Sequence, residues 1–88
     1  MRTDQILDDL VDELASIEHE RWAHWQRYMH EKAIRQKDGS LLIPHDLVDK
    51  WERQISTPFD KLSDDEKDSD REQVAKYLPV IKAALKDR

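Results

Sequence analysis

Between residues 7 and 29, apolar side chains recur at helical spacing, and two opposite charges sit inside their stripe. A helix turns roughly 100° per residue, so positions i, i+3, i+4 and i+7 share a face. Leu7, Leu10, Val11, Leu14, Ile17, Trp22, Trp25, Tyr28 and Met29 therefore form one broad apolar face. Glu18 and Arg21 fall within it, three positions apart and close enough to pair. A charge taken out of water costs several kcal/mol unless it is paired and hydrogen-bonded. Three arrangements meet that demand: a paired core ion pair (in its plainest form a partly exposed pair at the edge of the core), an interface, or a ligand pocket. The central stretch, 13–28, also holds two of the three tryptophans and two of the four histidines.

The rest of the chain reads as mainly α. Thr3 suits an N-cap, and Asp4, Asp8 and Asp9 suit the positive end of a long N-terminal helix. That helix is expected to run to about Lys37, because Lys32, Arg35 and Lys37 suit the negative end. Asp38-Gly39, with the one glycine of the chain, stops it. Residues 40–43 form a short extended segment. A lone strand of that length needs a partner, which a second copy could supply. Pro44 opens a second helix over 45–55 whose narrow face is Leu47, Val48, Trp51 and Ile55. Thr57-Pro58 ends it, since a residue before proline avoids the helical region. Ser63 and Glu66 make a capping box for a closing C-terminal helix. A break is expected near 68–70. Val74, Tyr77, Leu78, Ile81 and Leu85 make its apolar face, and Pro79 should kink it. No linker or repeat is visible, so 1–88 reads as a single domain.

At 88 residues such a domain buries only about 60–65% of its unfolded surface. Two long helices would struggle to cover each other, and a homodimer or higher homo-oligomer is expected. The absence of cysteine excludes disulfide scaffolds, thiol catalysis and cysteine-based zinc sites. No apolar run follows the first basic residue, so no signal peptide is expected. The longest apolar stretch, 41–44, is far below the roughly 20 residues of a membrane span, so the expected location is the cytoplasm, without membrane contact. A net charge of −5 opposes general nucleic-acid binding, which draws most of its affinity from a basic face. The charge is uneven, however. Arg21, Arg27, Lys32, Arg35 and Lys37 are opposed only by Glu31, whereas Asp60, Asp64, Asp65, Glu66, Asp68 and Asp70 meet only Lys61 and Lys67. These ends either attract each other or lie solvated, or the basic one forms a local anion site.

His19-Glu20-Arg21-Trp22, and then 57–62 (Thr-Pro-Phe-Asp-Lys-Leu) running into Glu66-Lys67 and Asp70-Arg71-Glu72-Gln73-Val74, resemble the RyR domain, the small repeat named after ryanodine receptors. The resemblance follows the family order over 13–85. It departs from the family where Gly-Trp-x-Tyr-Gly would follow the first helix; this chain has a basic helix end, Asp38-Gly39 and the helix around Trp51 instead. The resemblance implies that a lone copy dimerises, since receptor copies occur in pairs. Prokaryotic members are linked by gene context to nucleotide-based immune signalling, and short free-standing chains are similar to phage-encoded ones. It therefore implies a module that senses or sequesters an NAD-derived or cyclic nucleotide signal, as a phage counter-defence protein in the host cytoplasm.

The residues themselves are compatible with such a site. A nucleotide needs an aromatic surface for stacking and cations for phosphate. Trp22 and Trp25 are three apart, with Arg21 beside them and His19 one turn back. Gln26 could read a base edge, and Arg71 could approach from the last helix. Equally, both tryptophans could be core anchors and Arg71 a brace. Enzymatic readings are weaker. His19 and His24 are five apart, so they diverge by roughly 140° and do not make the helical zinc-protease pair. A metal site would have to form between subunits. No glycine-rich phosphate loop is present and no serine has a telling context. The expectation is a non-catalytic binding module without a cofactor or resident metal. The competing expectation is a protein-interaction module, because tryptophans flanked by arginine also make protein hot spots.

Overall fold

Four helices and one short hairpin follow one another along the chain, and the computed structural model describes residues 2–86. The opening helical pattern is divided. Helix α1 spans Arg2–Asp8 and α2 spans Val11–Lys32, with a tight turn at Asp9 and Leu10 between them. Backbone bonds persist across the turn, from Asp9 N–H to the Gln5 carbonyl (3.0 Å) and from Leu10 N–H to the Leu7 carbonyl (3.1 Å). Leu10 is the sole buried side chain among the described residues, and the turn sets it in a hollow with Pro79, Val80, Ala83 and Ala84. Thr3 lies inside the first turn of α1.

Helix α2 stops at Lys32, five residues short of the expected end. Ile34–Arg35 forms strand β1, which pairs antiparallel with β2, Leu41–Leu42, in the register Ile34 to Leu42 and Arg35 to Leu41. The extended segment thus finds its partner within the chain and does not need a second copy for it. The turn explains why. Gly39 N–H donates to the Gln36 carbonyl (3.1 Å), Gln36 N–H donates to Ser40 (2.8 Å), and Gly39 has φ +90°. This is a three-residue hairpin loop with a glycine bulge, which reverses the chain too sharply for a helix end. The Asp38 carboxylate accepts from the Ser40 N–H (2.9 Å) and hydroxyl (2.6 Å), and these bonds hold its pKa below the ordinary value.

Helix α3 spans His45–Ser56, entered through Pro44 and left through Thr57. Its inward edge is Leu47, Trp51 and Gln54; Val48 and Ile55 face water, Ile55 at 77% exposure. A 3-10 turn, Phe59–Lys61, then leads into α4, Asp64–Lys86. The expected break near 68–70 is absent, and α4 continues through Pro79. The capping box is formed as read: Glu66 N–H reaches the Ser63 hydroxyl (3.2 Å) and Ser63 N–H reaches the Glu66 carboxylate (3.2 Å).

Helix α4 packs on α1 and α2. It runs antiparallel to α2, since Tyr77 meets Glu18 while Leu10 and Glu13 lie by residues 79–84. The molecule is a slab of 54 × 33 × 17 Å with a Cα radius of gyration of 17.7 Å. No helix among the described residues is long and apolar enough to cross a membrane.

Candidate functional site

The paired charges at the centre of α2 lie at the edge of the helix packing. Arg21 donates from Nε to Glu18 (3.0 Å) and also through its terminal nitrogen, while the Tyr77 hydroxyl of α4 donates to the same carboxylate. The Arg21 guanidinium first, and the Tyr77 hydroxyl second, hold the Glu18 carboxyl down at about 2. Reciprocally, Glu18 raises Arg21 and raises the Tyr77 phenol. The side chains remain 37% and 50% exposed for Arg21 and Glu18, so this is a partly exposed pair with a third member. Tyr77 is 59 positions from Glu18, beyond the reach of any local spacing rule.

Arg21 is therefore committed to a carboxylate. Trp22 points outward at 56% exposure, with His19 stacked on it at 6.0 Å between ring centroids. Arg71 pairs with Asp68 (2.8 Å) and lies 5.6 Å from the Phe59 ring. Gln26 is half-buried on α2.

The one sequence-expected site residue that lines a large cavity is Trp25. Its cleft, of about 980 Å³, lies among α2, α3 and the start of α4. Volumes of that order accommodate small-molecule ligands. The aromatic wall is Trp25 with Tyr28, edge to face at 5.7 Å and 84°. Three cations, Lys50, Arg53 and Lys61, line the same space. Asp65 and Asp70 line it too, as does Glu66. His19, Arg21, Trp22, Gln26 and Arg71 are not among the lining residues.

Glu66 organises the cleft. Its side chain is 17% exposed and accepts from Gln54 (2.6 Å), Arg53 (3.2 Å) and the Ser63 hydroxyl (2.8 Å). Gln54 first, then Ser63, hold its carboxyl at about 2. Glu66 is thus an ionised anchor that ties α3 to α4, while Lys50 and Lys61 line the cleft with no ion-pair partner among the described residues. Further along α4, the Gln73 Oε1 is buried without a donor. Such an orphaned acceptor costs roughly 1–3 kcal/mol.

Lys50, Arg53 and Lys61 did not stand out in the sequence, because each sits in a charge-rich stretch where a solvated cation is the ordinary outcome. Tyr28 was legible as part of the apolar stripe, though not as a cleft wall. Among the described residues, no group of three His, Cys, Asp or Glu side chains is placed to hold a metal ion. In comparisons with known proteins, the chain matches no family model, no curated protein and no solved structure.

Proposed function

We propose that the chain is a non-catalytic module that binds a nucleotide-type small molecule in the cleft beside Trp25, and so senses or sequesters a nucleotide-derived signal. The observation that carries this reading is the coincidence of three chemistries in one cavity of about 980 Å³. The Trp25 and Tyr28 rings offer a stacking surface for a base. Lys50 and Lys61 offer donors to phosphate, with Arg53, held by Glu66, beside them. Asp65 and Asp70 offer acceptors to sugar hydroxyls, the role an acidic residue plays toward ribose in dinucleotide sites. An NAD-derived or cyclic nucleotide carries all three partners. The RyR-like order of motifs, with its implied link to nucleotide signalling, points the same way.

The test is calorimetry of the full chain against a panel of NAD derivatives and cyclic nucleotides. Base stacking contributes roughly 1–3 kcal/mol. Trp25→Ala should therefore weaken the binding member by about 5- to 150-fold, while Trp22→Ala leaves it unchanged. If no member binds, or Trp25→Ala binds as tightly as the parent, the reading fails.

A second reading, protein interaction, is favoured by a different observation. Trp22 is a large indole left more than half exposed beside an arginine, and both residue types are enriched at protein hot spots.

A further inference from the structure

Exposed apolar side chains are common singly, but here they align. On α2, Val11, Glu18 and Trp22 are spaced by seven and four, so they share a face. On α4, Val74 and Leu78 are four apart. The helices are antiparallel and both right-handed, with Glu18 bonded to Tyr77 between them. The residue following each contact position, Trp22 after Arg21 and Leu78 after Tyr77, therefore emerges on the same side of the pair. The result is one face carrying Val11 (62% exposed), Trp22 (56%), Val74 (50%) and Leu78 (44%). At its centre sit Glu18 and Arg21, already neutralised by each other. Such a pair can be covered without stranding a lone charge.

The area and shape of the whole chain bear on what covers this face. A folded monomer of 10.5 kDa should expose about 5,400 Å² on the usual surface scaling. This chain exposes 7170 Å². The excess over the whole chain, roughly 1,700 Å², is of the size that each subunit of an obligate homodimer buries. The shape agrees: a compact chain of this length has a radius of gyration of about 12 Å, against the 17.7 Å found.

We infer that a second copy of this chain docks on the α2 and α4 face centred on Trp22, as a two-fold homodimer. The same patch serves both copies, as a two-fold interface requires. None of its apolar residues lines the cleft, so assembly and ligand binding are separable.

Sedimentation of the full chain tests this. Twice the 10.5 kDa chain mass is expected, with Trp22→Glu and Leu78→Glu each shifting the species toward monomer. Because those variants could unfold, cross-linking supplies a second readout. The chain has no cysteine, so Val74→Cys and Lys76→Cys each introduce a unique thiol. The two positions lie about 160° apart around α4. A bifunctional maleimide should link Val74→Cys into dimers and leave Lys76→Cys largely monomeric. A parent chain that stays monomeric at the highest attainable concentration overturns the inference. So does preferential linkage through Lys76→Cys, or a monomer whose Trp22 face retains an unrelated protein instead.

Discussion

Glu66 does at the scale of one residue what its neighbours do collectively. It caps α4 through Ser63 and holds α3 through Gln54 and Arg53. Half of that role was legible: the capping box is a three-residue spacing, visible in any sequence. The other half joins residues 12 and 13 positions apart, and only the path of the chain brings them together. Tyr77 on Glu18 is the same lesson at greater range. Both glutamates have carboxyls lowered from an ordinary 4.5 to about 2. A group lowered in the fold adds stability that is complete above its unfolded value and lost as pH falls through its folded one. Thermal stability should therefore hold steady above about pH 5 and fall between about 4.5 and 2. Glu66→Gln should lower the melting temperature at pH 7 and flatten that acid slope, leaving the share due to Glu18. Melting curves followed by circular dichroism from pH 7 to 3 check this; an unchanged slope in Glu66→Gln would refute the role given to the anchor.

At the scale of elements, helical periodicity located α2, α3 and α4, because a 3.6-residue repeat survives whatever the tertiary packing does. It misjudged the boundary after Lys32. Arg35 and Lys37 read as cations at a helix terminus, yet Ile34 and Arg35 belong to a strand. The competing signal was Asp38-Gly39, which marks a hairpin as readily as a helix stop. The hairpin depends on Gly39, the one residue with positive φ among those described. A Cβ placed there meets no atom within 4 Å, so crowding is not the issue; the backbone conformation is. Gly39→Ala should cost about 1–2 kcal/mol through strain alone. Its effect should appear as faster amide exchange across residues 34–42, with α4 protection unchanged. Equal protection of the hairpin in parent and variant would remove glycine's claim to that turn. The break between α1 and α2 had no sequence signal, since Asp8 and Asp9 are acceptable within a helix and only burial of Leu10 distinguishes the site.

For the molecule as a whole, the informative quantity is what the fold leaves uncovered. With one side chain buried and the rest of the apolar contacts half-buried, the described residues set little apolar area against the conformational entropy of ordering the chain. The sequence anticipated the shortage through length alone, but length says nothing about which surface is left open; that follows from the antiparallel pairing of α2 with α4. If a second copy supplies the missing burial, folding and association are one equilibrium, and stability depends on concentration. For a dimer unfolding to two chains, each tenfold rise in protein concentration stabilises the folded state by about 1.4 kcal/mol per dimer. With the unfolding entropy usual for some 170–180 residues, that shifts the melting temperature upward by about 3–5 °C. The measurement is a series of thermal scans across two decades of concentration, with reversibility checked by rescanning. A steady rise per decade is expected for the parent chain, and its loss is expected for any Trp22→Glu protein that still folds. A melting temperature independent of concentration would mean that this open slab is stable alone, and the apolar face around Trp22 would then have no structural need for a twin.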